Sequence, residues 1–418
     1  FHRYTVDPSW TVPHFEKMLY DNGQFLATYA EASVAYRSDR FAQVAEDIAG
    51  YLLGQMQDPD GGFYSSQSAE SKDGEGSFYV WTREEVLQVL GETTSFFDAY
   101  PFATKGNFDG ARTVLNRSAQ VDPQAEALQN ARKQLLTARN QRDQPPTDKK
   151  LVVAWNGLTL GALARAGRLL NKPQFIGAAQ RAATRLLTVM DSGEMPRLVA
   201  TNAPRGVLED YAFLGNGLLD LYEADGNPEW LIAADQIAAT MLVRFQDPES
   251  GLLYQSDKDV ALLARRTDMT DDAEPSGFGR ALRLLARLRG YGSPTAPIDA
   301  IRQGLGQSAW LLERAPNNTV SLVMVAERMT RRSKEVVIAT PSLDHPMLQA
   351  FLDVYNETIR PHTVLAMVTP SSAKELQTFT AILGKEPGEN GPRAYVCFDG
   401  MCKLPTEEVD SFRRQLME

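Results

Sequence analysis

Gln57-Asp58-Pro59-Asp60-Gly61-Gly62-Phe63-Tyr64 and Gln246-Asp247-Pro248-Glu249-Ser250-Gly251-Leu252-Leu253-Tyr254 end two separate helical stretches with the same chemistry. In each, a proline with φ preset meets glycine, which tolerates positive φ, so each is a turn leading into a short aromatic or apolar run. The stretch before the first turn, 40–57, places Ala45, Ile48, Ala49, Leu52, Leu53 and Met56 at helical spacing. Helices are also expected over 14–37, 123–141, 155–170, 173–190, 208–224, 229–246, 276–289, 295–313 and 318–331. The openings at Trp155, Tyr211 and Ser276 lie 56 and 65 residues apart. That period is one long helical hairpin per repeat, longer than tetratricopeptide or HEAT units. Alternating inner and outer helices closed in a ring, an (α/α)6 toroid over 1–332, suits the period and the count. An open α-solenoid is the competing architecture.

Beyond about 333 the period changes. Glu335–Thr340, Thr363–Thr369 and Ala394–Phe398 are short β-branched runs, with helices expected near 345–355, 372–382 and 406–417. This alternation predicts a small α/β lobe of parallel strands over 333–418.

The 418 residues carry 43 basic and 53 acidic side chains, a net charge of −10. With 43% hydrophobic and 23% charged residues the chain has ordinary globular composition, which excludes disorder as its main state. The acidic balance and the lack of a basic stripe argue against nucleic acid as a partner. No run nears the roughly 18 apolar residues of a membrane span. The chain opens on Phe1 with no signal-peptide pattern, and a fragment of a longer protein is expected. Two cysteines without a secretion signal favour a reducing, cytoplasmic setting.

The densest polar cluster is Trp10-Thr-Val-Pro13-His14-Phe15-Glu16-Lys17-Met18-Leu19-Tyr20-Asp21-Asn22. At helical spacing His14, Lys17 and Asp21 share one face, and Glu16 and Tyr20 another. A histidine beside carboxylates suits acid–base work, whereas the plainer reading is a capped helix start with solvated charges. A second cluster, Phe63-Tyr64-Ser65 through Glu70 to Phe78-Tyr79-Val80-Trp81, could wall a sugar face with aromatic rings; a hairpin that merely packs them is the alternative. Thr82-Arg83-Glu84-Glu85 is a capping-box start. Three more openings, Trp155-Asn156-Gly157, Glu209-Asp210-Tyr211 and Asp271-Asp272-Ala273-Glu274-Pro275-Ser276-Gly277, would face a common mouth if inner helices repeat in register. Each also reads as an N-cap. Cys397-x4-Cys402 lacks the redox C-x-x-C spacing and the four ligands of a structural zinc site, so structural cysteines at a strand end are expected. No P-loop, dinucleotide glycine motif, G-x-S-x-G elbow or H-E-x-x-H occurs, so no cofactor and no metal are expected.

Phe1–Asp7, Val12–Asn22, Gly61–Ser65, Phe78–Trp81, Ala154–Leu158, Leu208–Leu214, Ala273–Gly277 and the Cys397-x4-Cys402 tail together resemble one family, thioredoxin-domain proteins like spermatogenesis-associated protein 20. The resemblance covers nearly the whole chain. It implies a toroid like those of N-acylglucosamine 2-epimerases and six-hairpin glycosidases, with a thioredoxin-like domain in cis upstream of Phe1. Where the family usually has an acid, this chain has Ser68, and of that pair Glu70 remains.

Epimerisation in related toroids uses two histidines, and here the helical region offers just His2 and His14. Hydrolysis through paired carboxylates is better supplied. The candidate catalytic residues are His14, Glu16, Asp21, Glu70, Asp210 and Glu274. Tyr20, Tyr64, Trp81, Trp155, Asn156, Tyr211 and Asp272 are the candidates for binding substrate. The expected function is binding or processing of a small carbohydrate in a central cavity, hydrolase-like or epimerase-like. The alternative is a non-catalytic module coupled to a thioredoxin-like domain for protein clients.

Overall fold

The computed structural model describes residues 1–92, 94–118, 125–190 and 193–417. Strand β1 (Lys17–Met18) leads into helices α1 (Leu19–Ala35) and α2 (Asp39–Tyr51). Strands β2 (Ser66–Gln67), β3 (Glu70–Ser71) and β4 (Gly74–Glu75) precede α3 (Arg83–Leu90), α4 (Thr94–Ala99), α5 (Glu126–Arg139) and β5 (Thr147–Asp148). Then come α6 (Val153–Leu169), α7 (Pro173–Leu187), α8 (Leu208–Asp225), α9 (Pro228–Phe245), α10 (Gly277–Gly290), α11 (Ile298–Arg314) and α12 (Val320–Thr330). The C-terminal part holds β6 (Lys334–Ala339), α13 (Leu348–Asn356), β7 (Thr363–Val368), α14 (Ser372–Glu375), β8 (Arg393–Phe398), β9 (Met401–Cys402) and α15 (Val409–Met417).

The chain divides into two compact units, Phe1–Met18 with Ser65–Lys149, and Leu19–Tyr64 with Lys150–Glu418. In the first, β1, β2 and β5 form an antiparallel sheet, and β3 pairs with β4. Helices α3, α4 and α5 enclose a core that includes Trp81, Val86, Phe96, Tyr100, Leu128 and Leu135. The expected capping box is present: Glu85 N–H donates to Thr82 Oγ1 (3.2 Å) and Thr82 N–H to Glu85 Oε2 (2.8 Å). The first two residues of the helix expected at 123–141 lie outside the described residues.

The second unit is a double layer. Inner helix α6 packs between α1 and α8, and α10 packs between α8 and α12; α2, α7, α9 and α11 cover their partners from outside. The fold is of the (α/α)6 toroid class, with four hairpins and the first helix of a fifth among the described residues of this unit. The inner helices are buried nearly all round, which is why α6 and α8 show apolar residues without a polar stripe. Outer helix α7 buries Phe175, Ala178, Ala179, Ala182, Ala183 and Leu186, one face alone. The two turns that echo each other are the same device: Gln57 bridges Phe63, and Gln246 bridges Leu253. Gly61, Gly62 and Gly251 all sit at positive φ there.

Small residues set the spacing of α6 and α8. A Cβ on Gly157 would come within 2.5 Å of the Leu214 nitrogen, and one on Gly217 within 2.3 Å of the Gly157 carbonyl oxygen. Backbone cannot yield as a side-chain tip can, so Gly157→Ala is expected to cost on the order of 1–2 kcal/mol by overpacking. Urea melts of the purified variant would check this; an unchanged midpoint would show that the helices separate freely.

Three expectations are corrected. The helix expected from residue 14 begins at Leu19, because Lys17 and Met18 pair with Gln67 and Ser66 as a strand. His14, Lys17 and Asp21 therefore do not share a helix face. The C-terminal sheet is mixed, in the order β7-β6-β8-β9: β7 runs parallel to β6, whereas β8 runs antiparallel. The helix expected at 372–382 stops at Glu375, and the Gly- and Pro-bearing segment up to Pro392 brings β8 back from the opposite end. Val336, Ile338, Phe351, Leu365, Val396 and Phe412 fill the core of this lobe. Cys397 and Cys402 are register partners of the terminal hairpin and form a disulfide, at the strand end expected for them.

Candidate functional site

The inner helices of the second unit run side by side, so their N-termini share one end of the layer. Four polar or aromatic side chains come from those termini. Tyr20 is in the first turn of α1, Trp155 in the first turn of α6, Glu209 in the first turn of α8, and Glu274 just before α10. Tyr20 and Trp155 meet edge to face with ring centroids 5.0 Å apart. Gln24 of α1 donates to the Ala273 carbonyl (2.9 Å), which holds the Glu274 loop against α1.

Glu274 is a carboxyl held well outside its ordinary range. Burial, and then the Glu209 carboxylate, push its pKa up from 4.5 to about 7. The Trp155 indole N–H and the Arg197 guanidinium work in the other direction but do not prevail. Trp155 Nε1 and Glu274 Oε2 are both buried, and neither completes a hydrogen bond of full geometry. Such unsatisfied atoms are uncommon and mark places where a ligand or water completes the set.

Glu209 has different partners. Arg197 pairs with it, and Gln255 donates to its Oε2 (3.1 Å). Two carboxylates with different partners thus lie beside one aromatic pair.

The remaining candidates in this unit are tied into the frame. Asp210 is fully buried and accepts from Ala154 N–H (3.0 Å), Val207 N–H (2.9 Å) and Arg197 (3.1 Å). Burial nevertheless pushes its pKa up to about 6. Asn156 clamps Phe63, accepting from its N–H (2.7 Å) and donating to its carbonyl (3.0 Å). Tyr211 is buried against Phe245 and accepts from Met195 N–H (3.0 Å). Asp21 and Tyr64 are half-buried, and Asp272 is exposed.

His14, Glu16, Glu70 and Trp81 belong to the first unit. His14 stacks on Tyr4 and lies 3.1 Å from Glu75 and 3.6 Å from Glu16. Glu70 is exposed beside the β3–β4 turn, and Trp81 is in the core. A second polar cluster appears here that the sequence reading did not assemble: half-buried Lys17 bonds to Tyr79 Oη and Gln67 Oε1. Burial, then Arg139, lowers the Lys17 pKa to about 7, and burial raises Tyr79 to about 12. Among the described residues no three metal-ligating side chains lie together. None of the described helices is long and apolar enough to cross a membrane.

Glu209 and Arg197 were missed from the sequence. Glu209 looks like an ordinary first-turn acid, which the helix dipole favours anyway. Its signal was adjacency to Asp210 at an opening already singled out.

No family model matches the chain. It aligns over its whole length with spermatogenesis-associated protein 20 of Homo sapiens at 29% identity and of Mus musculus at 28%. An uncharacterised protein of Caenorhabditis elegans is 30% identical over 69% of this chain and 46% of its own length. The kinship expected from the motifs is therefore present, and the chain spans about 60% of the length of the human relative. Among solved structures, a sugar epimerase from a ruminal bacterium is 11% identical, with 78% of this chain and 64% of that one covered and a TM-score of 0.44. A cellobiose 2-epimerase from Spirochaeta thermophila is 12% identical, with 75% and 63% covered and a TM-score of 0.47.

Proposed function

We propose that the N-terminal end of the inner helix layer binds a small carbohydrate and transforms it by acid–base chemistry, with Glu274 as the group that moves the proton. The observation that carries this reading is the Glu274 carboxyl, its pKa pushed up to about 7, facing the buried Trp155 indole N–H with neither Trp155 Nε1 nor Glu274 Oε2 in a hydrogen bond of full geometry. A general acid or base works best when its pKa lies close to the working pH. No histidine occurs between Phe15 and Asp344, so proton transfer at this end falls to carboxylates. Tyr20 and Trp155 supply the apolar wall against which a sugar face packs, and Glu209 supplies the second carboxylate. Hydrolysis through paired carboxylates fits this set better than a two-histidine epimerisation. A thioredoxin-like domain in cis belongs to the same proposal, on the strength of the family resemblance, whereas the Cys397–Cys402 disulfide runs against the reducing setting expected from the cysteine count.

Calorimetry with a panel of mono- and disaccharides tests the reading. Saturable binding is expected, weakened at least about tenfold by Trp155→Ala, a loss within the range of a stacked aromatic contact. Glu274→Gln should keep binding but abolish conversion of whichever sugar binds. The pH profile of kcat/KM should bend near pH 7 in the wild type and lose that bend in a slower Glu274→Asp variant with a shifted pKa. Absence of binding across the panel would overturn the proposal. Binding without conversion would leave a carbohydrate-binding module.

A further inference from the structure

At the opposite, C-terminal end of the same inner helices lies a cavity of about 140 Å³. Arg165, Arg168, Arg283, Arg287, Arg328 and Arg360 line it, six guanidinium groups from three helices and a loop. Four carboxylates share the lining, and they are already committed. Arg165 takes Glu31 (2.6 Å) and Asp220 (2.7 Å). Arg287 takes the other oxygen of Asp220 (2.9 Å) and Glu223 (3.1 Å). Glu327 pairs with Arg331 (2.9 Å) outside the cavity and lies 3.4 Å from His362.

Arg168, Arg283, Arg328 and Arg360 therefore meet no carboxylate among the described residues. Arg328 donates to the Pro361 carbonyl (3.1 Å), and Arg360 to that of Thr358 (2.8 Å). Arg168 reaches Asn356, and Arg283 reaches no more than the sulfur of Met324 (3.9 Å). Three nitrogen atoms of this lining, Arg168 Nε, Arg328 Nη2 and His362 Nδ1, are buried without any hydrogen-bond partner. Burial, reinforced by neighbouring guanidiniums, drags the Arg283 pKa far down and that of Arg328 to about 10. Even so lowered, Arg328 stays charged at neutral pH, and an arginine does not escape a crowded site by losing its proton. A buried charge without a partner is costly, so an excess of two positive charges is stable when something supplies negative charge and acceptor oxygens.

We propose that this cavity binds a phosphate group, as inorganic phosphate or as the phosphoryl end of a small monoester. A dianion matches the excess charge, and its several oxygens match the two orphaned arginine nitrogens and the planar forks of Arg283 and Arg328. The space is large enough for a group of that size. The site shares no residue with the carbohydrate end and stands independently of it.

Thermal melts and calorimetry on the whole chain test the proposal, at constant ionic strength and with chloride as the control anion. Inorganic phosphate is expected to raise the melting temperature saturably, and chloride is not. Arg328→Met and, separately, Arg283→Gln should each weaken phosphate binding at least tenfold. In phosphate-free buffer neither should lower the melting temperature, because each removes an uncompensated charge; a merely structural arginine would do the reverse. Glycerol phosphate binding more tightly than inorganic phosphate would assign the site to a phosphorylated metabolite, and equal binding would assign it to the free ion. If neither phosphate source stabilises more than chloride, or if both variants bind phosphate as the wild type does, the proposal is overturned.

Discussion

Glu274→Gln is expected to make the protein more stable at pH 8 by about 2 kcal/mol, while leaving its stability near pH 4 almost unchanged. The folded protein holds the Glu274 proton up to about pH 7, whereas the unfolded chain releases it near 4.5. Between those values the native state binds more protons than the unfolded state, so the contribution of this group is full below about pH 4.5 and is lost as pH rises through 7. The full displacement corresponds to about 3 kcal/mol, and the partly open flank of the side chain reduces it. An amide keeps the shape, still offers an oxygen to the Trp155 indole, and cannot ionise. Denaturant melts of both proteins at pH 4 and pH 8 give the answer directly. A variant that loses stability at pH 8 would mean that the carboxylate is satisfied in the native state, and the proton-transfer role would lose its support. A gain in stability paired with loss of conversion is the signature of a residue kept for function at the expense of the fold.

The helix layer was legible because its burial is one-sided or complete in ways that leave a period. The echo between Gln57–Tyr64 and Gln246–Tyr254 marks the same bridged turn after two outer helices, and both glycine placements follow from positive φ. The start of α1 was not legible, since Phe15, Met18 and Leu19 fit a helical period whether or not Met18 pairs as extended chain. Lys17 and Met18 pair with residues about 50 positions away, and only tertiary contacts decide that. Asp210 and Asn156 were readable as polar residues at helix openings, but not as clamps. Asn156 bonds to Phe63, 93 residues earlier, in a way no local pattern announces. The arginine cavity was invisible for a related reason. Arg165, Arg283, Arg287 and Arg328 sit at spacings that on any single helix read as a solvated stripe. Their meeting depends on the packing of α6, α10 and α12 with the C-terminal lobe.

Asp220→Asn, the same exchange of carboxylate for amide, is expected to act with the opposite sign and a larger size. Asp220 is 5% exposed and bridges two guanidiniums, Arg165 at 2.7 Å and Arg287 at 2.9 Å. Burial alone would raise its pKa, but the two arginines outweigh burial and hold it at about 2 instead of 3.8. Removing one partner of a buried, hydrogen-bonded charge set leaves the others uncompensated, which costs about 3–5 kcal/mol. The amide preserves volume, so the loss reports charge and not a cavity. Because the folded pKa is depressed, the stabilisation is present above about pH 4 and fades as pH falls through 2. The gap between wild type and variant should therefore narrow by about 2 kcal/mol across that acid window. Urea midpoints at pH 7, 4 and 2.5 would show it, and a gap that stays constant would assign the loss to shape. The variant also adds one more unpaired positive charge to the arginine cavity. Phosphate should consequently restore more stability to Asp220→Asn than it adds to the wild type, which joins the energetics of the network to the ligand proposed for it.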